Sequence, residues 1–304
     1  MVVFYRRMPK FDYLKPQSFS EVLSLLKEGG PDRYKVFAGG TDLMDQLKQR
    51  KIDIPKAVID LKGISELNFI KFDKNEGLRI GALTTVTDVA TSPEIEQHYP
   101  ALSQGAREIA SIQIQNRATI TGNICNAVSS ADSAPPLLAL GAEVACESAE
   151  SARDIKIENF FAGPGKTVLQ PGELVREIKL PPPAANSDSL YLKLAPRGRM
   201  DLAWVGVSVA TAVTDGKFDN VGIGLGAVGP TPIRAIKAED ALRGTEVKRE
   251  NIEIAAATAT SETSPRENSF RAGGEYRHMM VEVLVRRALN QLAGLEEMKE
   301  VHYG

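Results

Sequence analysis

The chain has 304 residues, a formal net charge of -2, 25% charged residues, 43% hydrophobic residues and two cysteines. This length exceeds one comfortable hydrophobic core, so two or three globular domains are expected. Near-neutral charge argues against a nucleic-acid or anionic-membrane surface. Two cysteines cannot alone hold an iron–sulfur cluster or a structural zinc ion, and they give no disulfide framework. With no apolar stretch long enough for a membrane span or signal peptide, a cytoplasmic protein is expected.

The first half of the chain alternates helices with short strands. Ser18 and Glu21 have capping-box spacing, and they predict a helix that ends at Gly29-Gly30. Residues 35–38 then predict a buried strand, followed by Gly39-Gly40 and the start of a second helix at Thr41-Asp42. Further strands are predicted at 57–61, 78–82, 142–146 and 175–180, and helices at 102–112 and from Pro135 onward. The polar stretch between them, Gln113–Asp132, shows little helical periodicity.

The pattern changes after Pro181-Pro182-Pro183, which begins the most linker-like segment of the chain. Successive antiparallel strands are predicted at 190–194, 203–213 and 218–227, with a hairpin turn at Gly216, and helices at 236–243, 250–263 and 275–293. These changes predict three domains, at residues 1–56, 57–184 and 185–304.

Two glycine motifs match nucleotide-binding strings but fail in context. Gly224-Leu-Gly226-Ala-Val-Gly229 has the G-x-G-x-x-G spacing, yet Pro230 and Pro232 follow where a helix should begin. The alternation of apolar residues places these glycines inside a strand, where they permit close backbone packing. Gly163-Pro-Gly-Lys-Thr resembles the end of a P-loop, but Phe160 occupies the position of the first glycine. A turn is predicted there.

The three histidines, at positions 98, 278 and 302, are scattered along the chain and none lies in a glycine-rich segment. We interpret them as surface residues. Neither a metal site nor a Ser/His triad is supported.

Two polar, glycine-containing segments are the best candidates for a binding site. Ala38–Leu43 offers consecutive backbone N–H groups at the start of a helix with little side-chain bulk, which suits a pyrophosphate. The second segment, Asn116–Pro135, concentrates hydroxyl, amide and carboxylate groups between apolar flanks. A large polar ligand would satisfy many of these groups together, although a simple turn and a self-satisfied polar loop remain alternatives.

Together the two segments resemble the flavin (medium) subunits of the molybdenum hydroxylases, the xanthine dehydrogenase and carbon monoxide dehydrogenase group. Ala38–Leu43 is similar to the family motif A-G-G-x-x-L. Gln115–Asn123, then Asn126-Ala127 and Ala131-Asp132 to Pro135, is similar to R-N-x-x-T-I-G-G-N with its N-A and A-D-x-x-P extensions. Thr121 departs from the family, which has glycine there. Family-like segments continue to Tyr276-Arg277, so nearly the whole chain is covered.

The resemblance implies an α+β fold: a two-subdomain FAD-binding unit (PCMH/vanillyl-alcohol-oxidase-like) followed by a C-terminal antiparallel sheet with helices, like the carbon monoxide dehydrogenase flavoprotein C-terminal domain. It also implies which residues contact FAD. The pyrophosphate would lie against the two glycine segments, Lys193 near the flavin ring, and Leu169 and Tyr191 at its faces. The implied FAD-binding residues are Lys35, Val36, Phe37, Ala38, Gly39, Gly40, Thr41, Asp42, Leu43, Thr119, Gly122, Asn123, Asn126, Asp132, Leu169, Tyr191 and Lys193.

The implied function is electron transfer by a non-covalently bound FAD, with no catalytic acid, base or nucleophile and no metal on this chain. Molybdopterin would belong to a large partner subunit and the [2Fe–2S] clusters to a small one. The flavin would pass electrons to NAD or another acceptor. We interpret Cys125 as a small buried residue, since free cysteine is usually inert when buried. The alternatives are a self-contained FAD oxidoreductase and, less well supported, a nucleotide-binding module without activity. The sequence leaves the substrate of the complex open.

Overall fold

The structure is a computed structural model that describes residues 7–30, 33–198, 200–267, 269 and 272–295. The fold is mixed, with helices packed on separate sheets, as the resemblance implied. Residues 268, 270, 271 and the C-terminal residues that include His302 lie outside the described part of the chain. Along the described ranges, no helix is both long and apolar enough to cross a bilayer.

The first sheet is parallel and has the strand order β1-β3-β2. Its strands are β1 (Asp12–Leu14), β2 (Tyr34–Phe37) and β3 (Ala57–Asp60), with helices α1 (Phe19–Gly29) and α2 (Leu43–Gln49). The hydroxyl of Ser18 caps α1 by accepting a hydrogen bond from the backbone N–H of Glu21, as predicted. Because the strands are parallel, β2 and β3 end at the same edge, and the Gly39-Gly40 turn lies there.

The second sheet is antiparallel, with the order β4-β5-β10-β6-β7. Its strands are β4 (Ile70–Asp73), β5 (Gly77–Gly81), β6 (Glu143–Glu147), β7 (Ala152–Lys156) and β10 (Leu174–Leu180). A separate hairpin, β8 (Phe161–Gly163) and β9 (Lys166–Thr167), confirms the turn predicted in place of a P-loop.

Six short helices pack beside the second sheet. They are α3 (Val86–Thr91), α4 (Pro93–His98), α5 (Pro100–Arg107), α6 (Ile112–Gln115), α7 (Ile120–Cys125) and α8 (Ala134–Ala139). Thus the stretch Gln113–Asp132 contains α7 and most of α6. Each is only one or two turns long, which is too short for a helical periodicity to show in the sequence.

The third sheet is antiparallel, with the order β11-β12-β13-β14. It contains β11 (Ser187–Leu194), β12 (Val205–Thr214), β13 (Lys217–Gly226) and β14 (Ile233–Arg234), followed by helices α9 (Ile236–Leu242), α10 (Arg249–Ser261) and α11 (Gly274–Leu292). Asp215 and Gly216 both have positive φ, 51° and 72°, and form the predicted hairpin turn.

The glycine-rich strand β13 packs directly against α8. A Cβ atom on Gly224 would lie 2.1 Å from the carbonyl oxygen of Pro135, and one on Gly222 would lie 1.9 Å from that of Ala139. These glycines permit close contact between the third sheet and the helix layer of the second. The G-x-G-x-x-G string is therefore a packing feature, as its sequence context predicted.

One predicted domain boundary falls in a linker, and the other falls immediately before a strand of the first sheet. The boundary at 184/185 lies between β10 and β11, in the linker. The boundary at 56/57 lies immediately before β3, which pairs with both β1 and β2. The first sheet therefore continues through Asp60, four residues beyond the expected end of the first domain.

Candidate functional site

A cleft of about 690 Å³ lies where the edge of the first sheet, the α6–α8 region and the loop after β11 meet. Twelve of the residues implied by the resemblance line it: Val36, Ala38, Gly39, Gly40, Thr41, Asp42, Leu43, Thr119, Gly122, Asn123, Asn126 and Asp132. The two glycine segments, about 80 residues apart in sequence, thus face one space.

The turn after β2 presents backbone donors to this cleft. Within the described residues, the N–H groups of Gly39, Gly40 and Thr41 have no protein acceptor. Gly40 has a φ of +77°, which favours glycine. A Cβ atom on Gly39 would lie 2.1 Å from the carbonyl oxygen of Arg117, so only glycine lets this turn approach the segment before α7. The result is a set of adjacent N–H donors with little side-chain bulk around them.

The start of α7 forms the facing wall. The hydroxyl of Thr119 caps the helix by accepting a hydrogen bond from the N–H of Gly122 at 2.9 Å. Thr121, which replaces the family glycine, lies within α7, and it is not among the residues with positive φ. Its position therefore does not demand glycine. Its buried hydroxyl has no hydrogen-bond partner in the described part of the chain.

Two asparagines brace these walls. The side-chain amide of Asn126 donates to the carboxylate of Asp42 at 3.1 Å and so ties α7 to the turn after β2. Burial and the nearby carboxylate of Asp45 raise the pKa of Asp42, while the hydrogen bond from Asn126 opposes this. The carbonyl oxygen of the Asn123 side chain accepts a hydrogen bond from the hydroxyl of Ser133 at 2.6 Å.

A buried polar cluster built around Asp132 also borders the cleft. Asp132, 7% exposed, accepts a hydrogen bond from the hydroxyl of Tyr191 at 2.7 Å and one from the ammonium of Lys193 at 2.9 Å. Only 4% of the Lys193 side chain is exposed. Burial raises the pKa of Asp132 to about 6, against the opposing effects of Lys193 and Tyr191. Burial and Asp132 also raise the pKa of Tyr191 well above its usual value.

Tyr191 and Lys193 do not line the cleft in this structure but stand behind Asp132, which does. Both project from β11, whose backbone is joined to α5 by a hydrogen bond from the Tyr191 N–H to the Gln104 side chain. The C-terminal unit therefore contributes to the site in two ways: Tyr191 and Lys193 hold Asp132, and Met200, Asp201 and Leu202 line the cleft directly. The contact of Tyr191 and Lys193 with the flavin stays a prediction.

Three further implied residues lie away from the cleft lining. Lys35 and Phe37 flank Val36 on β2, and successive strand residues face opposite sides, so Val36 faces the cleft while its neighbours do not. The Phe37 ring lies under the ammonium of Lys62, 3.5 Å from its centroid. Leu169 packs against the core beside the second sheet. Their contact with FAD is also still a prediction.

Sequence reasoning did not identify the apolar lining of the cleft. Ile109, Ile114, Val128, Met200 and Leu202 all face it. Four of them, all but Ile109, are unusually exposed for large apolar side chains. The sequence carries no signal that separates such residues from ordinary core residues, because apolar side chains are usually buried. Ala110, also in the lining, has a positive φ of 46°, which no sequence pattern announced.

The residues present fit FAD. Unpartnered N–H donors at one end suit a pyrophosphate, because they supply hydrogen bonds and partial positive charge to an anion. The apolar lining suits a planar ring, and the cleft volume lies within the range of about 300–1,000 Å³ typical of small-molecule sites. The buried ammonium of Lys193, behind Asp132, suits negative charge on a reduced flavin.

Two family models together match most of the chain. Residues 9–183 match the model of the FAD binding domain in molybdopterin dehydrogenase, and residues 190–292 match that of the CO dehydrogenase flavoprotein C-terminal domain. This chain belongs to the FAD-binding medium subunits of the molybdenum hydroxylase family. It is accordingly an FAD-dependent oxidoreductase subunit, and the predicted fold and family are confirmed.

Relatives of this family align with nearly the full length of the chain. The xanthine dehydrogenase FAD-binding subunit of Escherichia coli O157:H7 is 31% identical over 280 residues, which is 92% of this chain and 94% of that protein. The carbon monoxide dehydrogenase medium chain of Hydrogenophaga pseudoflava is 31% identical over 282 residues, 93% of this chain and 96% of that one. A solved structure of reconstituted CO dehydrogenase from Oligotropha carboxidovorans superposes with a TM-score of 0.89 at 30% identity, covering 95% of this chain and 99% of that one.

Proposed function

We propose that this chain is the electron-transfer subunit of a heteromeric molybdenum hydroxylase in the cytoplasm. It binds FAD non-covalently and passes electrons from the [2Fe–2S] clusters of a small partner subunit to NAD or another acceptor. A large partner subunit carries the molybdopterin and selects the substrate. The observation that carries the proposal is one cleft lined both by open N–H donors and by Asp132, whose carboxylate is paired with the buried Lys193.

The turn at Gly39–Thr41 and the first turn of α7 hold the cofactor in this proposal. Their N–H groups bind the pyrophosphate, and the Asn126–Asp42 hydrogen bond fixes the distance between the two walls. The apolar side chains Ile109 and Leu202 exclude water from the ring. FAD supplies the chemistry, because it exchanges one or two electrons.

The protein side chains act on position and charge rather than as acids, bases or nucleophiles. Cys125, expected to be buried, is half-buried and lines the cleft. Burial, with the nearby Cys146, nevertheless raises the pKa of its thiol to about 12, so the thiol stays protonated at neutral pH. This supports a non-covalent cofactor. Lys193, which is held behind Asp132 by their hydrogen bond, stabilises negative charge on the flavin ring.

We propose the three domains that were predicted from the sequence, with one boundary moved. The first FAD-binding subdomain includes β3 and extends through Asp60, because β3 is the central strand of its sheet. The second subdomain ends in the linker near residue 184, and the C-terminal unit follows.

An anaerobic rapid-mixing experiment tests the electron path. The FAD-loaded chain is mixed with the reduced small subunit, and the visible flavin band is followed, first without and then with NAD. We expect the small subunit to bleach the flavin band and an acceptor to restore it. Flavin that is reduced by an organic substrate added to this chain alone, but not by the small subunit, would instead support a self-contained oxidoreductase.

A further inference from the structure

Lys193 lies between two carboxylates although it carries only one positive charge. Its ammonium is 2.9 Å from a carboxylate oxygen of Asp132 and 3.7 Å from one of Glu108, and it also donates to the backbone carbonyl of Glu108 at 3.2 Å. The Glu108 side chain is 37% exposed, whereas that of Asp132 is 9% exposed. Asp132 is therefore the carboxylate whose charge has the least access to solvent.

The other charged groups nearby do not change this imbalance. Asp201, on the loop after β11, also lines the cleft and is paired with Arg197 at 2.6 Å. Tyr191 is neutral and donates its hydroxyl to Asp132. The buried cluster of Asp132, Tyr191, Lys193 and Glu108 thus has a net charge of -1 when both carboxylates are ionised, so it is suited to take up one proton.

On the basis of FAD binding in this cleft, we propose that Asp132 is a positioning residue that stores a proton and controls the charge presented by Lys193. Asp132 neutralises the ammonium while the flavin ring is neutral. When the ring gains negative charge, Asp132 takes one proton from solvent through the cleft it lines, and Lys193 then faces the ring with its charge uncompensated. Asp132 exchanges no electron; both electrons come from the reductant.

Two features of the site support this behaviour. Asp132 lines the cleft while Tyr191 and Lys193 stand behind it, so the carboxylate is the member placed to exchange a proton with the cleft. The pKa of Asp132, raised to about 6 by burial, already lies close to neutrality. Negative charge arriving nearby disfavours the carboxylate and raises this pKa further, so reduction draws a proton onto Asp132 at pH values just above 6.

The reduction potential of the FAD-loaded chain, measured from pH 5 to pH 8.5 against reference dyes, tests the proposal. The wild-type potential should fall more steeply with pH than that of Asp132→Asn in a window that opens near pH 6. One additional proton per reduction is a tenfold change in the equilibrium constant per pH unit, or about 30 mV for a two-electron couple. Proton steps of the flavin itself occur in both proteins and cancel in the difference. Asp188→Asn, an exposed change of the same kind on β11, should match the wild type.

Tyr191→Phe provides an independent variant. Loss of its hydrogen bond removes support from the charged carboxylate, so the pKa of Asp132 rises and the window moves to higher pH. If Asp132→Asn does not bind FAD, the shift of the pH window in Tyr191→Phe tests the proposal by itself. Superimposable potential curves for wild type and Asp132→Asn, or an unshifted window in Tyr191→Phe, would overturn the inference while leaving the proposed function intact. A wild-type chain that binds no FAD would overturn both.

Discussion

The two ends of the cleft are built from different materials. The end at Gly39–Thr41 is formed by the backbone. Its donors are main-chain N–H groups, and its geometry depends on glycines at which a Cβ atom would clash. The end at Asp132 is side chain: a carboxylate, a phenol and an ammonium, two of them from another sheet more than 50 residues away. We propose that the first end recognises a permanent anion and that the second responds to charge that changes.

This contrast predicts opposite sensitivities. Backbone donors cannot titrate, so the pyrophosphate end should fail through steric change and be indifferent to pH. The side-chain end should tolerate changes of shape better than changes of charge, and its behaviour should depend on pH. The following variants separate the two, from the largest expected effect to the smallest.

Lys193→Met should be the most damaging change at the side-chain end. It leaves Asp132 buried without its cation, and breaking such a pair costs about 3–5 kcal/mol of unfolding free energy. The pKa of Asp132, already raised, then rises further. Because a raised carboxyl pKa means that the folded state holds more protons, stability is lost as pH rises and the penalty should be larger at pH 8 than at pH 5. Urea unfolding at both pH values checks this.

The matched control is Lys179→Met, which breaks the exposed pair with Asp154. It should cost no more than about 1 kcal/mol at either pH. Equal penalties for the two variants would contradict a buried charge cluster at Lys193.

Gly39→Ala should be the most damaging change at the backbone end. The added methyl would meet the Arg117 carbonyl oxygen at 2.1 Å, which is backbone and cannot rotate away. We expect a loss of about 1–3 kcal/mol in stability and roughly 10–100-fold in FAD affinity, with no dependence on pH. Fluorescence titration with FAD measures the affinity.

Gly63→Ala serves as its control, because a methyl there has only the Pro16 carbonyl oxygen within reach, at 3.8 Å. It should leave FAD affinity unchanged. If Gly39→Ala bound FAD as tightly as this control, the turn would not be the cradle.

Tyr191→Phe should cost about 1.5–3 kcal/mol of stability, since it removes one hydrogen bond to a buried, charged acceptor while keeping the ring. FAD content should stay at the wild-type level. Thermal unfolding and flavin absorbance measure both. A fall in FAD content with unchanged stability would place the phenol on the cofactor instead of behind Asp132.

Thr121→Val should have the smallest effect, between neutral and about 1 kcal/mol stabilising. The substitution replaces a buried hydroxyl that has no partner in the described residues with a methyl group of similar size. Restoring the family residue with Thr121→Gly should instead cost about 1 kcal/mol, because the position is helical. Calorimetric unfolding of the apoprotein measures both. Tighter FAD binding in Thr121→Gly would show that the glycine matters for the cofactor.

The backbone end was far easier to predict from sequence than the side-chain end. Gly39, Gly40 and Gly122 lie in short contiguous motifs, so the local sequence was enough to identify them as candidate binding residues. The pairing of Asp132 with Lys193 depends on how β11 docks on α5, which is a tertiary fact that no local pattern encodes. The resemblance supplied both residues individually but not their contact.

The fold showed the same division. Several elements were predicted near their observed positions, as at α1 and β13, whereas β4, β7 and the helices α3 and α4 were not predicted. The short helices α6 and α7 were not predicted, because each is too short to show an amphipathic repeat. The Thr119 side chain caps α7, whereas α6 has no side-chain cap. The local sequence also did not show that the first sheet includes β3, because β3 joins it only by pairing with β1 and β2.

A crystal structure of the FAD-loaded chain tests the two-ended cleft most directly. It should show pyrophosphate oxygens within about 3.2 Å of the N–H groups of Gly39–Thr41. It should also show the flavin ring at the Asp132–Lys193 end. A pyrophosphate bound away from Gly39–Thr41, or a ring far from Asp132, would contradict the assignment of the two ends.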